Sequence, residues 1–383
     1  MKYDFDTVID RSNTDSVKWD VKEGELPMWV ADMDFKVAPE ILQAIRKRMD
    51  NGIFGYSVIP EEWNLAYVHW WKKRHDFAID PSWLIFCTGV IPVLSSTVRK
   101  LTTPNENVVI QTPVYNVFFN SIVNNGRRVL ESPLVYGNGE YHIDFDDLES
   151  KLADPQTSLM ILCNPHNPVG KIWDRETLKR IGDLCAKHNV VVLSDEIHCD
   201  ITEPGKGYVP FASVSENCRN NSVTAMAPTK AFNIAGILSA AAMVPNPNLR
   251  HKIWRALNTD EVAEPSAFSV PAAIAAFEKG APWLDEFRSY VWENKKTVVS
   301  YLAEHIPQIH VVPSDATYLM WLDCSAFTED SRELASKIRK STGLFLSDGV
   351  QYGWSGRQFL RMNVACPRTL LMDGLDRLRR ALS

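Results

Sequence analysis

The sequence predicts an α/β protein with a mostly parallel, doubly wound sheet and a second, smaller α/β domain. Helix-like and strand-like segments alternate along most of the 383 residues, with no repeat of fixed period and no low-complexity linker. Runs such as VVVL (190–193) are apolar at every position, as expected when helices cover both faces of a parallel sheet. Near residue 280 the pattern changes, and this change predicts the second domain.

Five apolar runs predict the buried strands of the main sheet, and each run ends in polar or turn residues. The runs are 83–89, 106–113, 158–165, 189–196 and 221–228. A helix is expected to begin near Pro92, directly after the first run, and the apolar periodicity of 174–189 predicts another. Strands and helices that follow one another in this way are typical of βαβ units.

The C-terminal part of the chain has a different pattern of predicted helices and strands. Residues 281–306 predict one long helix, and ATYLMWLD and RQFLRMNVA predict strands of a smaller sheet. We therefore expect an N-terminal segment, 1–50, that packs with the small domain, a large domain, 51–280, and a small C-terminal domain, 281–383.

Composition excludes several classes of protein. The content of 45% hydrophobic residues can form a large core, but no apolar run reaches membrane-spanning length, and the N-terminus lacks the pattern of a secretory signal, so we expect a cytoplasmic protein. A net charge of -6 argues against nucleic-acid binding. The seven cysteines are scattered and form no C-x-x-C pair, which predicts neither a disulfide framework nor a thiolate metal site.

Polar residues collect just after the predicted strands, where the carboxyl ends of a doubly wound sheet bind ligands. The residues expected there are Gly89, Val90, Ile91, Tyr115, Asn167, Asp195, His198, Thr229 and Lys230. Each has an ordinary alternative: Asn167 could shape a turn, Asp195 could cap a loop, and Lys230 could be a surface lysine. Together, the carboxylate, amide, anion-binding turn, aromatic ring and lysine meet the needs of pyridoxal phosphate.

The chemistry of this cofactor assigns the roles. Lys230 supplies the amine that bonds to the cofactor aldehyde and later removes the substrate Cα proton. Asp195 keeps the pyridine nitrogen protonated, because an opposite charge favours the charged form. Asn167 can donate to the phenolate oxygen, and His198 is expected on the same side.

The remaining candidate residues are expected to bind the cofactor phosphate and to stack on the ring. Backbone N–H groups of 89–91, at the beginning of a helix, suit the phosphate. The hydroxyl of Thr229 is expected to help them, and Tyr115 is expected to stack on the ring.

At these residues the sequence resembles the fold type I, or aspartate aminotransferase-like, pyridoxal phosphate enzymes over nearly the whole chain. The motifs that carry this resemblance, in order, are NPHNPVG, SDEIH, PTK and FLRMN. Within that superfamily, LPMWVADMDF, FGY, SDEIHCD and KAFNIAG look like the MalY/PatB-type cystathionine β-lyases, also called C-S β-lyases. The resemblance implies a seven-stranded type of sheet and a pyridoxal phosphate-dependent lyase.

The resemblance adds two residues to the site. Arg361 matches the arginine that grips the substrate α-carboxylate, for which a surface ion pair is the ordinary alternative. Tyr56 matches a tyrosine lent to the cofactor phosphate of the neighbouring subunit, which implies a homodimer with shared active sites. Two positions depart from the pattern: Ala227 stands where many relatives have a serine that touches the phosphate, and Leu238 stands where some relatives have an arginine.

The implied reaction is α,β-elimination from an amino acid with sulfur at Cβ, so that L-cystathionine gives homocysteine, pyruvate and ammonia. Tyr115 is a candidate proton donor to the leaving sulfur, although stacking alone explains it. The identity of the leaving group stays open. Residues 258–269 are suspected of lining the end of the site that would hold the leaving group, partly from the other subunit.

Three alternatives stay open at this point. An aminotransferase would use the same Lys230, Asp195 and Arg361, although aminotransferases usually have tyrosine where His198 stands. A regulatory protein-binding role would appear as a partner that co-purifies even without Lys230. A metal site at Asp195, His198 and Cys199 lacks a second His/Cys cluster, so no metal is predicted.

Overall fold

The computed structural model describes residues 2–383 as alternating helices and strands. The helices are α1 Pro39–Asp50, α2 Glu61–His75, α3 Val90–Leu101, α4 Val117–Val123, α5 Phe145–Leu152, α6 Arg175–Lys187, α7 Glu216–Asn220, α8 Pro247–Thr259, α9 Ser269–Lys279, α10 Ala281–His305, α11 Ser331–Thr342 and α12 Arg368–Leu382. The strands are β1 Leu26–Pro27, β2 Leu84–Cys87, β3 Asn107–Ile110, β4 Arg128–Glu131, β5 Val135–Gly137, β6 Glu140–His142, β7 Thr157–Cys163, β8 Val191–Asp195, β9 Ser222–Met226, β10 Ala240–Met243, β11 His310–Val311, β12 Leu319–Asp323, β13 Leu344–Phe345, β14 Ser347–Asp348 and β15 Phe359–Asn363.

The central sheet confirms the predicted fold class. Its seven strands lie in the order β2-β10-β9-β8-β7-β3-β4, and all neighbours are parallel except β10, which runs antiparallel to β2 and β9. Strands β4 and β10 are not predicted by the sequence pattern. Both are only four residues long, and the alanines of β10 have little intrinsic preference for strands.

The register of the sheet aligns the strand ends. Cys163 pairs with Asp195, and Asp195 pairs with Ala225, so β7, β8 and β9 end level with one another. Helices cover both faces, as the apolar strands require. In α6, for example, Asp174 accepts from the Thr177 N–H and begins the helix, whose apolar face is buried.

A separate four-stranded antiparallel sheet, in the order β11-β12-β15-β14, lies in the C-terminal part. The 25-residue helix α10 leads into it, as the sequence predicts. Arg361 lies on β15 opposite Trp321 of β12 and Ser347 of β14. This position fixes the arginine within a ladder of backbone hydrogen bonds.

The N-terminal segment contacts both parts of the chain. Strand β1 pairs in parallel with β13, and Phe5 packs against Phe35 and Tyr290. Helix α1 packs on α9, which precedes the long helix. The division at residues 50 and 280 stays a prediction. Within residues 2–383, no helix is both long enough and apolar enough to cross a membrane.

Candidate active site

A cavity of about 600 Å³ opens where the carboxyl ends of the parallel strands meet. Asp195 ends β8, Cys163 ends β7 four residues before Asn167, and Lys230 follows β9 by four residues. The predicted site residues that line this cavity are Gly89, Val90, Ile91, Tyr115, Asn167, Asp195, His198, Thr229, Lys230 and Arg361. Ten of the eleven candidates therefore lie around one space.

Lys230 is held with its amine inside the cavity. Its Nζ donates to the Ala31 carbonyl oxygen at 2.7 Å. Burial lowers the pKa of this amine to about 8, while the nearby Asp32 carboxylate opposes the shift. A much larger fraction of the amine is therefore neutral near pH 7 than in an exposed lysine, and the neutral form is the nucleophile and base.

Asp195 is a buried carboxyl that faces the cavity. Its Oδ1 accepts from the Ile197 N–H at 3.1 Å. Burial raises the pKa of Asp195 to about 7, against the smaller opposing effects of that hydrogen bond and of Lys230. A cationic ring nitrogen placed beside Asp195 would stabilise the carboxylate, because a nearby positive charge offsets the cost of burying a negative one.

His198 is also buried, and burial together with Lys230 and Arg361 lowers its pKa to about 3. The imidazole is therefore neutral at physiological pH. Within residues 2–383 its Nδ1 has no hydrogen-bond partner. An unpartnered buried polar atom that lines a cavity is suited to a polar ligand.

Arg361 reaches the cavity from the C-terminal sheet. Its Nη1 donates to Asn167 Oδ1 at 3.1 Å, and its Nη2 donates to the Trp29 carbonyl oxygen at 2.9 Å. Its guanidinium lies 4.8 Å from the centre of the Tyr352 ring, and its Nε has no partner in the described chain. Because Asn167 Oδ1 accepts from Arg361, the amide nitrogen of Asn167 is left for a ligand.

The predicted phosphate end is formed by the beginning of α3. Gly89 is the N-cap residue, so the N–H groups that follow it have no partner within the helix. A Cβ at position 89 would lie 3.2 Å from Pro92 Cδ, which favours glycine. Thr229 lies at the same cavity, and Leu238 lines it with an exposed apolar side chain.

Tyr56 lies outside the cavity of its own chain. Its side chain is fully exposed and lines a neighbouring recess with 264–269. Thr88 and Leu238 line both the recess and the cavity, so the two spaces adjoin. Within one chain, residues 264–269 of the segment 258–269 therefore line the recess beside Tyr56 and not the cavity that contains Lys230.

One wall of the cavity was not predicted from the sequence. Trp29, Val30 and Ala31 line it from the N-terminal segment, and Ser347 and Tyr352 line it from the C-terminal part. The motif WVADMDF carries the family resemblance but does not by itself indicate this position. No periodicity signals the role of this segment, because its backbone carbonyls rather than its side chains meet Lys230 and Arg361.

Comparison with known proteins identifies the family. The family described as aminotransferase class I and II matches residues 26–378. The chain is 42% identical to cystathionine beta-lyase PatB of Bacillus subtilis (strain 168), over 99% of this chain and 100% of PatB. It is 33% identical to Protein MalY of Escherichia coli (strain K12), over 99% of each chain. The chain belongs to the MalY/PatB type of class I and II aminotransferase-family proteins.

A solved structure agrees with the MalY/PatB assignment. The PLP-bound C-S lyase from Staphylococcus hominis matches with a TM-score of 0.93 and 33% identity, and the match covers 99% of each chain. The predicted resemblance and its fold are thereby confirmed. This is a family of pyridoxal phosphate enzymes, which confirms the predicted cofactor.

The residues of this MalY/PatB-type chain fit that cofactor. The cavity combines a lysine of lowered pKa, a buried carboxyl, and the beginning of a helix as an anion site. The unpartnered Nε of Arg361 and Nδ1 of His198 add further polar atoms. The roles assigned to single residues stay predictions.

Proposed function

We propose that this protein is a pyridoxal phosphate-dependent carbon–sulfur β-lyase that acts on L-cysteine S-conjugates such as L-cystathionine. The observation that carries the proposal is the 42% identity to cystathionine beta-lyase PatB over 99% of the chain. The cavity supports it, because an amine of lowered pKa and an arginine whose guanidinium can bind a carboxylate line the same space.

In the proposed reaction, bound pyridoxal phosphate supplies an electron sink for the charge that develops at Cα. Arg361 binds the α-carboxylate and orients the substrate. Lys230 removes the Cα proton, which its lowered pKa favours. The Cβ–S bond then breaks and the sulfur leaves with a proton as a thiol. Water replaces the nitrogen, so that pyruvate and ammonia are released.

Tyr115 is the proposed neighbour of the leaving sulfur. Burial raises the pKa of its hydroxyl to about 12, so the hydroxyl stays protonated at neutral pH and can donate. The neutral imidazole of His198 and the free amide nitrogen of Asn167 are proposed to hold the cofactor rather than to transfer protons.

The test of the proposed function uses purified protein, L-cystathionine and no added 2-oxo acid. We expect equimolar pyruvate and free thiol over many turnovers. If product forms only after a 2-oxo acid is supplied, the protein is an aminotransferase and the lyase proposal is wrong. Both outcomes require the cofactor, so its absorbance is recorded in parallel.

We also propose that two subunits complete each site. Tyr56 is fully exposed, and Ile53, Phe54 and Val58 beside it expose large apolar side chains. Such a group of exposed apolar residues is typical of a protein interface. Tyr56 from one subunit would then reach the phosphate end of its neighbour's cavity, next to the recess that Leu238 shares.

Subunit mixing tests this arrangement. Tyr56→Ala and Lys230→Ala proteins are each expected to be weak or inactive. A hybrid dimer contains one site with both residues intact, so mixing after mild dissociation should restore activity. Mixed samples that stay as inactive as their components, despite proven hybrid formation, would exclude shared sites. The cytoplasmic location stays a prediction.

A further inference from the structure

The segment 29–34, which we term the pocket strap, ties together two groups of the proposed reaction. The Trp29 carbonyl oxygen accepts from Arg361 Nη2 at 2.9 Å. The Ala31 carbonyl oxygen, two residues later, accepts from Lys230 Nζ at 2.7 Å. The guanidinium and the amine are therefore held by alternate carbonyls of one short segment.

Two asparagine side chains hold other carbonyls of the strap. Asn363 Nδ2 donates to the Val30 and Asp32 carbonyl oxygens, both at 2.7 Å. Asn233 accepts from the Met33 N–H at 3.2 Å and donates to the Met33 carbonyl oxygen at 3.1 Å. Five successive carbonyls, 29–33, thus accept side-chain donors, so the strap has one defined path although it is neither helix nor strand.

A buried ionic cluster lies behind the strap. Lys18 is 1% exposed, and its Nζ donates to Asp34 Oδ2 at 2.6 Å and to the Asp32 carbonyl oxygen at 3.0 Å. Arg11 Nη1 donates to Asp34 Oδ1 at 2.9 Å, and Trp19 Nε1 donates to the same oxygen at 2.8 Å. Lys18 therefore bridges two positions of the strap, the Asp32 carbonyl and the Asp34 carboxylate, and Arg11 and Trp19 hold the other oxygen of that carboxylate.

We propose that the pocket strap is a spacing element that holds the Lys230 amine and the Arg361 guanidinium at a set separation, and that Lys18 is a positioning residue for it. The inference rests on the proposed function for the roles of Lys230 and Arg361. One substrate carbon carries both the proton and the carboxylate that these residues handle. A displacement near 1 Å can lower the rate by about 100-fold, so their separation matters.

Lys18→Met is the decisive variant. Methionine occupies similar volume and leaves Asp34 with its Arg11 and Trp19 partners, while the Asp32 carbonyl of the strap loses its link to Lys18. If this variant does not fold, Trp19→Phe removes one indole N–H from Asp34 and tests the same cluster more gently. Arg127→Met is the matched control, because Arg127 also donates to backbone carbonyls but lies away from the cavity.

The first readout is the rate at which acetic anhydride labels Lys230 in the full chain freed of cofactor. Release of the amine from the Ala31 carbonyl should increase labelling of Lys230 about fivefold in Lys18→Met, and leave it unchanged in Arg127→Met. This readout does not depend on which reaction the enzyme catalyses, so it decides the inference even if no pyruvate is formed.

The second readout is steady-state pyruvate release by the holoenzyme. Because the strap holds both groups, we expect KM to rise and kcat to fall together in Lys18→Met, by about tenfold in kcat/KM. A variant that merely loses stability would contain less active protein at an unchanged KM. Wild-type labelling of Lys230 together with a wild-type KM would overturn the proposal.

Discussion

The floor and the wall of the cavity are constructed differently. The floor consists of Asp195, Asn167 and Lys230, which lie at or just beyond the ends of adjacent parallel strands with matched register. The wall joins the pocket strap to Arg361, and the hydrogen bond between Arg361 and Trp29 spans 332 positions of sequence. Sheet register sets the floor, whereas side-chain donors on backbone carbonyls set the wall. Substitutions in the floor should therefore change the chemistry, and substitutions in the wall should change substrate placement.

Removing the floor amine should have the largest effect. We expect Lys230→Ala to lower pyruvate release from L-cystathionine by about 10⁴-fold or more, because the cofactor loses its attachment and the substrate loses its base. Lys295→Ala is the matched control, since Lys295 is also buried but donates to Ser314 and Ala316 outside the cavity. The control should lose stability rather than the chemistry. Pyruvate release at the wild-type rate from Lys230→Ala would refute the assigned role.

A change in the wall should act mainly on substrate binding. A lysine ammonium cannot bind a carboxylate in the bidentate manner of a guanidinium, so Arg361→Lys is expected to raise KM by about 100-fold with a smaller change in kcat. Arg339→Lys is the control, because Arg339 pairs with both carboxylate oxygens of Glu25 away from the cavity. An unchanged KM in Arg361→Lys, measured over a full substrate series, would remove Arg361 from the carboxylate site.

The floor should also show an electrostatic penalty when the cofactor is removed. Since the pKa of Asp195 is raised to about 7 in the folded chain, the folded state binds more protons than the unfolded state between about pH 4 and pH 7. Stability therefore falls as pH rises through this range. Asp195→Asn does not titrate, so we expect the apoprotein variant to be more stable than wild type above pH 7, by about 2 to 4 kcal/mol.

Denaturant titrations of both apoproteins at a series of pH values measure this difference. Groups away from the cavity titrate alike in both proteins, so the comparison isolates Asp195 together with its interaction with the Lys230 amine. Equal stability at low pH and a growing advantage of Asp195→Asn toward neutral pH is the expected pattern. Parallel curves would show that the Asp195 carboxyl is not destabilised by burial.

The smallest effect is expected for Tyr115, which lines the cavity beside the floor residues. Tyr115→Phe keeps the ring for stacking and removes a hydroxyl whose pKa is about 12. If Tyr115 acts chiefly by stacking, kcat falls by less than about tenfold. A loss near 100-fold that is confined to substrates with poor leaving groups would instead identify Tyr115 as the proton donor. Comparing kcat for good and poor leaving groups separates the two roles.

The floor could be predicted because its signal is local. Asp195, Asn167 and Lys230 each follow an apolar run, and parallel strand ends meet at one edge whatever the details of packing. The wall could not be predicted in this way. Trp29 and Ala31 contribute carbonyl oxygens, which every residue carries, so no residue type marks them. Strand β10 could not be predicted either, because three alanines and a methionine form too short a run to show a strand pattern.

Strand patterning and side chains with distinctive chemistry indicate the α/β class, the cofactor and nine residues of one cavity, and the family resemblance adds Arg361. The folded chain alone shows that Tyr56 faces outward, that 264–269 lies beside it, and that one strap holds both Lys230 and Arg361. These features depend on contacts between segments hundreds of residues apart. Their geometry arises from packing, and no local pattern encodes it.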